Sequence, residues 1–430
     1  MNHENRKKGN ENPIKNVNYR MRKYLIGFVL LGTIHQTNGQ QIASIVGPNK
    51  EIDPYHYTVV KRAEFKQAAV SSAHPLASMV GAAIMKKGGN AFDAAIATQL
   101  VLAVVFPNAG NIGGGGFLLA RKTNGELIGI DYREAAPEKG SRDMYLDKNG
   151  NAQLNLSQHG HLASGIPGTI AGLFASHAYA KLPFEVLIQP AIDIAAKGFV
   201  LTEKEAASIN SIKDAIARFS TQPTAFYRPN RWRVGDTLIQ KELAHTLERI
   251  QKEGALGFYG GKTADLIVAE MERGRGIISH SDLKNYTAKL REPIVFNYRG
   301  HEVVSFAPPS SGGILLAQMM KMIEKYPVAK MGFQTIQSVQ LMIEAERRAF
   351  ADRAEHMGDP DFWKVPVKTM ISDAYLAQRM SDYSPDKAGN SKEVNAGVIK
   401  ESEETTHFSV VDAAGNIVSV TTTLNGSYGS

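Results

Sequence analysis

The residues best placed to do chemistry lie near the end of the 430-residue chain. A polar stretch with Pro385, Gly389 and Gly397 runs into Glu404. Thr405-Thr406 then opens an alternating run, TTHFSVVD, followed by AAGN and IVSVTTTLN. The pattern predicts strand, turn, strand. With the turn over Asp412 to Asn416, centred on residue 414, Thr423 falls opposite Thr405, Thr421 opposite His407 and Ser419 opposite Ser409. Opposed residues share a face, and side chains alternate along a strand. Thr405, His407, Thr421 and Thr423 are therefore expected to form one hydroxyl-rich cluster. A hydroxyl becomes a nucleophile when a base takes its proton. Threonine is also a strong strand former and Thr–Thr pairs across strands are common, so the cluster alone fits an ordinary hairpin as well. A bulge would shift the pairing by one residue and take Thr423 off that face.

The other patterns with chemical potential are weaker. The glycine run GNIGGGG, residues 110–116, lacks the Gly-Lys-Ser/Thr ending of a phosphate loop and follows a helix rather than a strand. It reads as a tight backbone passage beside a site. His159 and His161 are close together, but in a glycine-rich loop and without a spaced carboxylate. They fit surface or structural histidines better than metal ligands. There is no HExxH and no GxSxG, and no metal or cofactor is expected. Zero cysteines exclude a disulfide framework, a Cys nucleophile and Cys-ligated metal.

The elements that must position these residues are legible in outline. A helix over 76–87 stops at Gly88-Gly89; Asn90 can cap the next, with Asp93 near the positive end of its dipole. That helix, AFDAAIATQLVLAVVF, is apolar on nearly every side and is expected between layers. Strands over 117–121 and 126–132 flank Asn124-Gly125, a strong hairpin signal. Residues 160–285 read as mainly helical, with a helix after Pro167-Gly168 and others at 183–197, 202–218, 240–253 and 262–273. Strands over 293–306 turn at Arg299-Gly300; PPSSGG leads into a helix, 338–352 is a long amphipathic helix, and 383–400 reads as a mobile linker. Helices first and strands last indicate a layered α+β architecture.

The formal charge of +7 does not point to nucleic acid. Residues 1–23 hold seven basic and two acidic residues, and 24–39 hold no charged residue, so most of the excess belongs to the leader. YLIGFVLLGTI, residues 24–34, is too short to span a bilayer and follows Arg22-Lys23. It fits a signal-peptide core, with cleavage expected after Gly39 and Met21 as an alternative start. The protein is expected to be exported, periplasmic or secreted, touching membrane only through an uncleaved leader.

The chain resembles the gamma-glutamyltransferase (gamma-glutamyltranspeptidase) family of the N-terminal nucleophile hydrolase superfamily. The similar stretches are NIGGGGF, DYREAAP, SGIPGTIAGL, GFYGG, PPSSGG, EAERRAFADRAEHMGDPDF and TTHFSVVDAAGNIVSVTTTLN, in the family's order from about residue 68 onward. The resemblance implies a four-layer αββα sandwich and a precursor that cuts itself before a threonine, here at Glu404–Thr405. It implies a leader over 1–39, a large-subunit region over 40–404 and the start of a small-subunit region over 405–430, with the two subunits forming a heterodimer after cutting. Thr405 matches the nucleophile and Thr423 the second threonine whose hydroxyl supports it. Asn425 matches a residue that holds the α-amino and α-carboxylate end of the substrate, and Arg133 the arginine that pairs with that carboxylate. Once Thr405 is the first residue of a chain, its own α-amine can serve as base. The implied substrates are a gamma-glutamyl donor such as glutathione and a water, amino acid or peptide acceptor.

One departure stands out. In the family the chain continues, supplying oxyanion-hole glycines, an acidic residue for the substrate amine and further core strands, none of which this sequence contains. The chain is therefore expected to be truncated at its C-terminus, its sandwich incomplete, and the 430-residue protein itself inactive. A related amidase or acylase taking glutaryl groups, and a non-catalytic truncated precursor, are the alternatives; Arg133 and Asn425 favour a donor with an amino-acid end.

Overall fold

Every residue from Ala91 to Val105 is buried, and that helix, α2, organises the rest. It packs against α1 (Pro75–Lys86), against the helix Phe184–Lys197 and against the back of a sheet. The computed structural model describes residues 44–47, 51–59, 62–391, 393–394 and 405–429, with Thr405 described in its backbone only. A helix buried on all sides must find partners for its polar groups. The Asp93 carboxylate closes the capping box on the Asn90 N–H and also accepts from the Lys181 and Leu182 N–H groups at 2.9 and 2.8 Å. The Gln99 carbonyl accepts from the Tyr132 hydroxyl at 3.3 Å.

Six strands form the main sheet: β1 (Ala69–Ser71), β2 (Gly115–Arg121), β3 (Leu127–Asp131) and, after the short pair β4 (Phe199–Val200) and β5 (Thr237–Leu238), β6 (Lys289–Arg291). The two others come after a separate hairpin of β7 (Ile294–Tyr298) and β8 (His301–Ser305); they are β9 (Thr405–Val411) and β10 (Ile417–Thr423). The order is β1-β9-β10-β2-β3-β6, antiparallel throughout. Phe408, Val410, Val418, Val420, Leu118 and Ile130 are buried in one core with α2. The chain is α+β, and its described part forms a helix layer on one large sheet. The β7–β8 hairpin packs with the helix Gly312–Glu324 around Ile294, Phe296, Ile314 and Ala317. Phe306, just beyond β8, lies on Phe117 with ring centroids 4.6 Å apart. Among the described residues no helix is long and apolar enough to cross a membrane. The expected leader lies outside the described residues.

The expected helices are present, with two differences. The helix expected over 202–218 is two, Glu203–Ser211 and Lys213–Phe219. It breaks where Asn210 turns its amide to Trp232, accepting from the Trp232 N–H and donating to its carbonyl, both at 2.9 Å. The described part of the expected linker is not free. Along the helix Ile336–His356, Gln340 donates to the Ser384 carbonyl at 2.8 Å, buried Glu344 accepts from the Gly389 N–H at 2.7 Å, and Arg347 donates to the Ser391 hydroxyl at 2.8 Å. Arg348 joins Glu344 to Asp382. Residues 382–391 are thus strapped along that helix; Glu393 and Val394 turn back on the Asn390 carbonyl, and 392 and 395–400 lie outside the described residues.

Asp412 couples the hairpin to the core. Its Oδ1 accepts from the N–H groups of Ala414 and Asn416 at 3.0 and 2.9 Å, and its Oδ2 accepts from the Asn416 amide at 2.7 Å and from the N–H of Ala91, the first residue of α2, at 3.0 Å. Burial pushes the carboxyl pKa up, but these donors outweigh it and hold the group below its ordinary value. A depressed pKa means stability that is complete above the unfolded value of about 4 and is lost as pH falls through the folded one. Asp412→Asn should cost about 1–3 kcal/mol at neutral pH. Urea unfolding should show that deficit shrinking below about pH 4, as the parent protonates its own carboxylate. A deficit independent of pH would disprove the electrostatic account.

Candidate active site

The turn held by Asp412 sets the register of the β9–β10 hairpin: Ser409 pairs with Ser419, His407 with Thr421, and Thr405 with Thr423. The pairing is unbroken from the turn to the strand ends, so the expected face assignment holds without a bulge. On the back face, Thr406 and Thr422 are buried. On the open face, His407 Nδ1 lies 2.9 Å from the Thr421 hydroxyl, and its Nε2 lies 3.2 Å from both the Ser409 and the Ser419 hydroxyl. Burial lowers the His407 pKa, which favours the neutral ring at pH 7. His407 thus gathers the hydroxyls of Thr421, Ser409 and Ser419, while at the strand ends the Thr405 backbone pairs with Thr423.

Thr423 closes the other strand. It is only 5% exposed, and its hydroxyl accepts from the Asn425 N–H at 2.8 Å. Asn425 is exposed and has φ +68°, in the left-handed region that asparagine tolerates better than most residues. It turns the chain out of the sheet directly beside the Thr405–Thr423 pair.

The glycine run passes along this end of β10. A Cβ on Gly114 would lie 2.2 Å from the Thr423 carbonyl oxygen, and one on Gly116 would lie 2.3 Å from that of Thr421. Gly115 is the ladder partner of Thr423, and a Cβ there would meet Glu134 at 2.9 Å. The run is therefore a close backbone passage. Arg133 follows from the same arrangement. Its N–H donates to Asp131 Oδ1 at 3.0 Å, and its carbonyl accepts from the Tyr286 hydroxyl at 2.6 Å. Its side chain is 45% exposed, with Nε 3.3 Å from the Glu134 carboxylate and the guanidinium 6.0 Å from the centre of the Phe117 ring. Burial raises the Glu134 pKa against the pull of the Gly115 N–H and of Arg133.

Arg133, Thr423, Asn425 and the backbone of Thr405 thus come to one end of the sheet, joined through Gly115 and Glu134. Glu404 lies outside the described residues. Residue-by-residue reading missed Glu134 and Asn111. Both sit inside quoted motifs, DYREAAP and NIGGGGF, but nothing in their spacing marks their partners. His159 and His161 do not converge: His161 binds Glu270 at 2.7 Å, and His159 stacks on Phe219. Among the described residues no three His, Cys, Asp or Glu side chains are grouped as metal ligands.

A family model described as gamma-glutamyltranspeptidase matches residues 77–430. The chain is 40% identical over 415 residues to the glutathione hydrolase proenzyme of Escherichia coli (strain K12), across 95% of this chain and 71% of that protein. It is 42% identical over 365 residues to the proenzyme of the same name from Pseudomonas sp. (strain A14), across 84% of this chain and 64% of that one. It thus spans about two thirds of the length of these relatives. The crystal structure of Helicobacter pylori gamma-glutamyltranspeptidase superposes with a TM-score of 0.75 at 38% identity, over 80% of this chain and 100% of that chain.

Proposed function

Because the chain belongs to the gamma-glutamyltranspeptidase family, we propose that it carries the nucleophile of a gamma-glutamyl transferase and glutathione hydrolase made as a self-cutting precursor. The observation that carries this reading is the Thr405–Thr423 pair at the end of the β9–β10 ladder, beside Arg133 and Asn425. In the precursor the Thr405 hydroxyl attacks the Glu404 carbonyl carbon. The peptide C–N bond breaks, the acyl group moves to oxygen, and water hydrolyses the ester. The products are a fragment ending at Glu404 and a fragment beginning at Thr405, which stay together as a heterodimer. The freed α-amine then takes the hydroxyl proton. The hydroxyl attacks the gamma-carbonyl of the donor, the proton passes to the departing amine, and an acyl ester remains on Thr405. Water or the amine of an amino acid or peptide takes the acyl group. Arg133 binds the donor α-carboxylate and Asn425 its amino-acid end. The relatives do not favour the glutaryl acylase reading.

The test is mass spectrometry of the protein expressed from its whole gene, paired with release of aniline from a gamma-glutamyl anilide. Two fragments meeting at Glu404–Thr405 together with turnover are expected; an uncut chain with full turnover would reject the proposal. Export belongs to the same proposal. N-terminal sequencing of protein recovered from the cell envelope should give a chain beginning after about Gly39. A chain retained in the cytoplasm and beginning at Met1 or Met21 would reject it.

A further inference from the structure

Thr423 can support a nucleophile only if its own strand end is fixed, and its backbone carbonyl is held by one buried side chain. Asn111 is 5% exposed. Its Oδ1 accepts from the Gly114 N–H at 2.8 Å and from the Thr169 hydroxyl at 2.6 Å. Its Nδ2 lies 2.9 Å from the Thr423 carbonyl, 3.1 Å from the Thr422 hydroxyl oxygen and 3.0 Å from the Ala109 carbonyl. A backbone N–H can only donate and a carbonyl can only accept, so these partners fix the amide orientation. The Thr422 hydroxyl continues the chain by donating to the Gly115 carbonyl at 3.0 Å. One amide thereby joins the glycine passage, the start of the helix Thr169–His177 and the last two residues of β10.

We propose that Asn111 is a positioning residue for the Thr405 chemistry, fixing the end of β10 and with it the pose of the Thr423 hydroxyl. This rests on the reading of Thr423 as the partner of the nucleophile. Asn111 makes no contact with Arg133 itself, whose backbone is set by Asp131 and Tyr286 and whose side chain meets Glu134. Its loss should lower the rate of the chemical step and leave donor binding alone.

Asn111→Asp separates this role from general stability. The carboxylate still accepts from Gly114 and Thr169, but its other oxygen now faces the Thr423 carbonyl, acceptor against acceptor. Its protonated form restores one donor, and burial opposite a carbonyl raises its pKa. At pH 8 the whole-gene protein carrying N111D should cut itself and turn over a gamma-glutamyl anilide about ten- to a hundredfold more slowly than the parent, at unchanged donor KM. The ratio to the parent should recover as pH is lowered toward 5. Asn111→Leu, of similar size without a donor or a titrating group, should be slow at every pH. Thr422→Val provides a milder lesion if N111D does not fold, since it removes one of the same links; it should slow kcat several-fold at constant KM. A pH-independent N111D ratio, or parent-like kinetics in T422V, would overturn the assignment. Cutting at the same bond by a Thr405→Ala protein would instead reject the underlying reading and leave the Asn111 measurements distinguishable from it.

Discussion

Thr405→Ala should leave the whole-gene protein as a single uncut chain whose gamma-glutamyl transfer has fallen by about 10⁴-fold or more. That is the scale on which hydroxyl-nucleophile enzymes feel the loss of a member of their catalytic set. Both reactions share one atom, the Thr405 hydroxyl oxygen, so they should vanish together. Thr405→Ser keeps the oxygen and should retain slow cutting and slow turnover. The second reaction needs a neutral α-amine as base, and an α-amine ordinarily titrates at about pH 8. Turnover by the cut protein should therefore rise through that range. Self-cutting, which precedes the existence of the free amine, should not follow the same profile. Thr423→Ala removes the hydroxyl that accepts from the Asn425 N–H. It should slow both reactions by about tenfold, the effect of one lost hydrogen bond, without preventing folding. Intact-mass measurement over a time course and a gamma-glutamyl anilide assay read all four expectations. Cleavage of Thr405→Ala at Glu404–Thr405 would defeat the nucleophile assignment outright.

How far these residues can be read from sequence depends on how local their constraints are. The register of the β9–β10 hairpin was legible because a period of two and the centre of one short turn determine every opposed pair, and Asp412 holds that turn through donors within four residues. The burial of α2 was legible because no face of it is polar. The chemical role of Thr405 was not legible from those patterns alone, since a strand of threonines is ordinary; it came from the resemblance of seven stretches taken together. Other features depend on partners far along the chain. Asn111 meets Thr423 across 312 positions, and Asp412 reaches Ala91 across 321. No window of local sequence contains both members of either pair. The strap over 382–391 escaped for a related reason. Its composition is that of a linker, and what holds it is the Gln340, Glu344, Arg347 and Arg348 face of a helix that precedes it by some forty residues.

Arg133→Lys should separate donor recognition from the chemistry at Thr405. The guanidinium is half-exposed at the end of the sheet, where its Nε meets Glu134 and its plane lies near Phe117. Glu134 is in turn placed by Gly115, the ladder partner of Thr423. Among the described residues Glu134 is the one acidic side chain paired with Arg133, so part of the planar fork remains for a ligand carboxylate. A guanidinium can hold a carboxylate through two parallel hydrogen bonds, while an ammonium presents a point charge on a flexible stem. Lysine would keep the sign of the charge, lose the two-pronged geometry and weaken the contact with Glu134. Loss of one charge-assisted hydrogen bond corresponds to about a tenfold or greater weakening. Donor KM should therefore rise by about that factor, with a smaller change in kcat. Self-cutting should proceed at the parental rate, because the precursor attacks its own backbone and presents no free α-carboxylate. A donor analogue lacking the α-carboxylate provides the decisive control: the parent should lose most of its preference for the carboxylated donor on becoming Arg133→Lys. Unchanged kinetics with both donors would remove Arg133 from the binding site. Failure of self-cutting in the same variant would show that the Arg133–Glu134 contact supports the fold around Thr423 rather than the substrate.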